Sequence, residues 1–148
     1  MNDEHGTVRW LAANEPHPAR LAQQAALRCA IAGDKLGWLG LWAEDCEIHD
    51  PVGPSIFDAT GEGHHGPGGI EHFWDVAIAP VTRFDVEVRT SHACGDSAAQ
   101  EATFVTTLSD GTRAEIDLMT VYRVDQAGLI VSMRAYWELE RVRVTSPA

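Results

Sequence analysis

The chain has 148 residues, 45% of them hydrophobic, and a formal net charge of −11. That length is most simply one domain, and so acidic a surface repels phosphate backbones and anionic lipid, which excludes nucleic-acid and membrane partners. No apolar run approaches the ~20 residues of a membrane span; acids stand at the N-terminus where a signal peptide carries bases; and Cys29, Cys46 and Cys94 are too few and too scattered for a disulfide framework or a metal knuckle, so a cytoplasmic, reduced protein with its cysteines as small buried hydrophobes is expected.

Residues 1–16 are polar and mixed and read as a flexible N-terminal arm, leaving 17–143 as the domain. From Pro18 to Ala32 the pattern is helical, with Leu21, Ala25, Cys29 and Ala32 on one face and Pro18 suited to the first turn. Gly33 ends that helix and Asp34 caps a second over 34–43, which turns Trp38, Leu41 and Trp42 inward. Cys46 to Asp50 is a short strand. "PVGPSIFDATGEGHHGPGG" follows, a glycine- and proline-rich loop long enough to act as a lid. A third helix spans Pro67 to Ile78, with Ile70, Phe73, Trp74 and Ala77 on one side.

The apolar period then changes to two. "RFDVEVR" sets Phe84, Val86 and Val88 against Arg83, Asp85, Glu87 and Arg89. "SAAQEATFVTTLSDG" is a second long strand closed by an Asp-Gly turn. The third puts Ile116, Leu118, Thr120, Tyr122 and Val124 on one face and Asp117 on the other. The last aligns Val131, Met133, Ala135, Trp137 and Leu139. Helices first and consecutive hairpins afterwards predict an α+β fold. Strand twist makes the sheet curl. The expected architecture is a cone-shaped barrel: a strongly curved antiparallel sheet and three N-terminal helices enclosing an apolar pocket, with Asp50 delivered to its rim.

"AGDKLGWLGLWAEDCEIHDPVG", "GHHGPGGIEHFWD" and "VYRVDQAGLIVSMRAYW" resemble the ketosteroid-isomerase-like branch of the nuclear transport factor 2-like superfamily, a group that also holds the SnoaL-type polyketide cyclases. The resemblance spans residues 22–140. It implies that Asp50, the aspartate of "DPVG", is the general base of a steroid Δ-isomerase-like or polyketide-cyclase-like reaction. It places Ala26 and Thr120 where the isomerases hold the tyrosine and the protonated aspartate that bind the substrate oxygen. It also implies a homodimer formed on the exposed sheet face.

An apolar hollow raises a carboxyl pKa and so strengthens Asp50 as a base. Ala26 donates nothing and Thr120 offers one ordinary hydroxyl. Losing one oxyanion donor costs ~10²–10³ in rate, so classical isomerase activity is expected to be weak unless Tyr122 or an indole N–H fills the gap. Trp42, Phe73, Trp74, Thr120, Tyr122 and Trp137 are the expected substrate-binding residues, lining a cavity for a hydrophobic, steroid- or polyketide-like molecule. The alternative is a non-catalytic binding protein for such a molecule. No cofactor and no metal site are expected: His49, His64, His65 and His72 read as solvated histidines without a ligand spacing. "GEGHHGPGG" lacks the lysine of a phosphate loop. Ala135 stands where the limonene-epoxide hydrolases of this fold carry an acid, which argues against that chemistry.

Overall fold

The computed structural model describes residues 4–147. Strand β1 (Val8–Trp10) precedes helix α1 (Pro18–Ala32), helix α2 (Lys35–Leu39) and strand β2 (Trp42–His49). A loop leads to the two-residue strand β3 (His64–His65) and helix α3 (Gly66–Phe73), which runs on into a π-helical turn over Trp74–Ile78. Four long strands follow: β4 (Val81–Cys94), β5 (Ser97–Leu108), β6 (Arg113–Val124) and β7 (Ile130–Tyr136). A 3₁₀ turn (Leu139–Arg141) and strand β8 (Arg143–Thr145) end the chain.

The predicted meander is present: β4 to β7 are neighbours in that order and pair antiparallel. The sheet is mixed rather than wholly antiparallel, because β1 pairs parallel with β4 and β2 parallel with β7. It is also open. β1 and β3 form its two edges, so the curved sheet makes a cone and not a closed barrel.

Three stretches differ from the sequence reading, each because a tertiary contact overrides a local pattern. Val8–Trp10, inside the stretch expected as a loose arm, pairs with Val86–Val88. The second helix stops at Leu39 instead of reaching residue 43. Gly40 caps it, and the Leu41 carbonyl then accepts from the Ile130 amide, which commits Trp42 to β2. Strand β7 ends at Tyr136, so Leu139 lies 55% exposed instead of in the core. The chain folds back as β8 on Arg113–Glu115, the stretch of β6 that β7 leaves unpaired.

Helix α1 has the expected limits but buries another stripe. His17 Nδ1 accepts from the Ala19 amide, Pro18 fills the first turn, and Gly33 closes the helix with φ 68°. The buried residues are Ala19, Arg20, Ala22, Gln23, Ala26, Leu27 and Ile31, while Leu21 is exposed. Arg20 and Gln23 sit within this stripe and mask it in the sequence. Arg20 Nε donates to Ser91 Oγ at 2.9 Å, and Gln23 Nε2 to Thr120 Oγ1 at 2.8 Å. These bonds offset the cost of burial, in full for the Arg20 head and for the amide nitrogen of Gln23. Helix α1 packs across β4, β5 and β6, and α3 packs on β2. Among the cysteines, all free, Cys46 is buried but Cys94 is exposed, unlike the buried hydrophobe expected.

Candidate active site

Alternation along β2 turns Cys46, Ile48 and then Asp50 to the inner face of the sheet. The parallel register sets Ile48 beside Met133 and His49 beside Arg134, so Asp50 follows beside Ala135. The turn is fixed by the Val52 amide donating to the Ala135 carbonyl at 3.0 Å. Asp50 is therefore aimed into the protein, and the Asp50–Pro51 peptide is cis.

One hydrogen bond holds its carboxylate: Trp137 Nε1–H donates to Oδ1 at 2.7 Å. Burial pushes the Asp50 pKa from its ordinary 3.8 up to about 6, and the indole donor pulls the other way. Tyr122 is buried nearby. Burial, and then the negative charge of Asp50, drive its phenol well above the usual range, so Tyr122 remains a neutral O–H. Among the described residues its hydroxyl has no hydrogen-bond partner.

The strand registers continue the row inward. Ala135 faces Thr120, and Thr120 faces Gln100. Asp50, Ala135, Thr120 and Gln100 thus form one line across four strands on the inner face. Asp50 and Thr120 stand two strand spacings apart, ~9.6 Å between backbones. The gap is kept by Ala135, whose methyl is the smallest side chain that still covers the sheet. At its far end the row is polar but dry. Gln23, Gln100 and Thr120 are 0%, 1% and 3% exposed. Gln23 Oε1 and both polar atoms of Gln100 have no partner. Unpartnered buried amides are uncommon in folded proteins, and each one asks for an explanation.

The expected substrate-binding residues fall into three groups. Trp42, Phe73 and Trp74 pack with Trp38 at ring distances of 5.3–6.4 Å and are fully part of the core. Trp137 lies beside Asp50, with Phe57 of the loop at 6.4 Å from it and 6.2 Å from Phe73. Thr120 and Tyr122 share the inner face as expected. Asp117 lies on the opposite face, where its carboxylate bonds Thr103 and Arg143. Among the described residues, three surface grooves are lined by residues other than Asp50, Thr120 and Tyr122. The nearest, about 460 Å³, runs along the outer sheet face past Val52 and Trp137 to Met119 and Arg143.

Gln23, Gln100 and Phe57 are residues that the sequence reading passed over. A glutamine on the apolar face of "AAQEA" and another within an alanine stripe are the signals that mark them. The loop that carries Phe57 is ordered by Asp58, whose carboxylate accepts from the amides of Gly61 and Gly63. The histidines are less solvated than expected. His49 and His64 are buried, His49 under the loop and His64 against Phe73. Pairing of β2 with β3 brings Glu47, His49 and His65 together on the outer side of β2.

The sequence matches the SnoaL-like domain family over residues 24–133. No curated protein matches it. Among solved structures, the chain is similar to RV0760c from Mycobacterium tuberculosis in complex with estradiol-17β-hemisuccinate, with 34% identity, a TM-score of 0.80 and coverage of 86% of this chain and 99% of that one. It is similar to a Δ5-3-ketosteroid isomerase from Mycobacterium sp., with 32% identity, a TM-score of 0.83 and coverage of 88% and 100%. A computationally designed 17-OHP binder gives the same figures: 32%, 0.83, 88% and 100%.

Proposed function

The chain belongs to the SnoaL-like domain family, and from that premise we propose that it moves a proton alpha to the ketone of a hydrophobic polycyclic molecule, with Asp50 as general base. The observation that carries this reading is the position of Asp50: inward, part-buried, bonded once by Trp137, with burial raising its pKa to about 6. Such a carboxylate is ionised at neutral pH and more basic than a surface aspartate.

In the proposed step Asp50 takes the α-proton and its C–H electron pair shifts toward the carbonyl, leaving a dienolate. The carboxyl returns the same proton further along the conjugated system, so the C=C bond moves and no outside reagent is consumed. The dienolate oxygen needs donors. Ala26 supplies none. The Thr120 hydroxyl accepts from Gln23 and keeps its own proton to give, Gln100 carries a free amide, and Tyr122 offers a neutral phenol. All are weaker than a protonated carboxylic acid, so turnover is slow compared with an isomerase that has one. The steroids bound in solved relatives support a flat fused-ring ligand between Trp137 and the amide end of the row. A ligand enters by displacing Phe57 and the loop that holds it. The homodimer is proposed on the outer sheet face, where Met119 and Tyr136 are about half exposed.

Ala26 and the neutral donors also favour a second reading, a steroid-binding protein without turnover. One assay separates the two. With a 3-oxo-Δ5-steroid, growth of conjugated-enone absorbance is expected, lost in Asp50→Asn while the steroid still raises the melting temperature. A thermal shift without absorbance change in the wild type supports the binder. No shift with any steroid or polycyclic ketone defeats both.

A further inference from the structure

The outer side of β2 carries a second cluster, behind Asp50 and independent of the steroid reading. Register sets Glu47 opposite His65, and alternation sets His49 on the face of Glu47. Glu47 Oε2 is 3.3 Å from His49 Nε2 and 3.9 Å from His65 Nδ1. All three ligand atoms lie within 4.8 Å of one another. Ligands held ~2.0–2.1 Å from a tetrahedral zinc stand ~3.3 Å apart, so the Glu47–His49 separation already matches and the Glu47–His65 separation is ~0.6 Å long.

The surroundings fit ligation. His65 Nε2 lies 2.7 Å from the Glu62 carbonyl, an acceptor only, so that nitrogen carries the hydrogen and Nδ1 presents a lone pair to Glu47. A backbone carbonyl behind a metal-binding imidazole fixes it in this way. His49 is 9% exposed, and its buried Nε2 has Glu47 Oε2 at 3.3 Å as its nearby carboxylate. The ring packs against Gly63 so closely that a Cβ there would collide with it. Glu47 is also prepared: Oε1 is taken by Arg134 at 3.1 Å and Ser132 at 3.4 Å, which leaves Oε2 to point at the two imidazoles.

We propose that Glu47, His49 and His65 form a site for a divalent transition cation of the zinc class, with the fourth position open to solvent beside the exposed His65. The ion joins β2 to β3 and so clamps the base of the loop that carries Phe57. It sits one residue from Asp50 but on the opposite face, which makes it a clasp for the site and not a reactant in it. Arg134 is the opposing charge. It bonds the other carboxylate oxygen, and it sets the affinity below that of a site with two free carboxylates.

The test uses the tag-free full chain, stripped of metal, with Zn²⁺ by calorimetry and Co²⁺ as a visible-absorption probe. Expected are one ion per chain, tetrahedral Co²⁺ bands without thiolate charge transfer, and a Zn²⁺-dependent rise in melting temperature. His65→Ala and Glu47→Gln should each weaken binding at least ~10-fold, no less than loss of an outer-shell partner does, and abolish the thermal shift. His72→Ala, on the other side of the loop, should bind as wild type does. Both ligand variants change side chains at the surface; if one fails to fold, the other decides. No Co²⁺ bands in the wild type, or Zn²⁺ binding that survives both variants, overturns the site.

Discussion

Asp50 and Asp117 lie on the two faces of one sheet and show what a face does to a carboxylate. Asp50 points inward, and burial raises its pKa to about 6 against a single indole hydrogen bond. Asp117 points outward, where the Arg143 guanidinium and then the Thr103 hydroxyl hold its pKa below the ordinary range. The inner group is left short of partners, which is what the proposed base requires. The outer one is saturated by cations and so is chemically silent. The same contrast extends along β6. Thr120 is bonded by Gln23 and faces the unpartnered amide of Gln100, whereas Asp117 and Glu115 share the guanidinium of Arg143.

The largest test of this contrast is kinetic. Asp50→Asn is expected to lower turnover of a 3-oxo-Δ5-steroid by ~10²–10⁴-fold, while Asp117→Asn leaves it within ~2-fold. Equal losses from the two variants break the comparison. The rate itself should climb as pH rises through about 6 and then level, because only ionised Asp50 takes a proton.

Stability gives the next effect, with a sign of its own. A carboxyl whose folded pKa lies above its unfolded value binds more protons in the folded state between those two values. Its contribution to stability therefore falls as pH rises from about 4 to about 6 and is flat above. Asp50→Asn removes that loss, so the variant should exceed the wild type by up to ~3 kcal/mol at pH 7 and converge with it near pH 4. Urea denaturation at both pH values measures the difference. A less stable variant at pH 7 would show that the carboxylate is not desolvated.

Gln100→Leu sharpens the polar end of the row. Removing an unsatisfied buried amide should add ~1–2 kcal/mol of stability, while steroid affinity falls ~10-fold. A stabilised variant with undiminished affinity would remove Gln100 from the ligand site. The smallest effect belongs to the outer face. Asp117→Asn should cost less than ~1 kcal/mol, since exposed ion pairs contribute little. Its sign is opposite to that of Asp50: the lowered pKa gives stability that is present above the unfolded pKa and lost as pH falls through the folded one.

Much of the fold was legible because its signals are local. A proline at the head of α1, a glycine at its end and strict alternation in "EIDLMTVYRV" each state the backbone geometry they require. Where local signals compete with distant partners, the reading failed. Trp42 carries helical spacing but takes its strand geometry from Ile130, and Val8–Trp10 is a strand only because Val86–Val88 lies beside it. The stripe of α1 was misplaced because Gln23 is polar, and its burial is permitted by Thr120, 97 residues away.

The site divides in the same way. The sequence alone carried Asp50 and its proline–glycine corner, the inner face of β6 and the family resemblance, because spacing along one strand fixes which side chains share a face. Only the tertiary structure decided that Trp137 bonds Asp50, that Gln23 bonds Thr120 beside the unpartnered amide of Gln100, and that Glu47, His49 and His65 meet. Those contacts depend on the register between strands, and register is set by the packing of the whole sheet and not by any one segment.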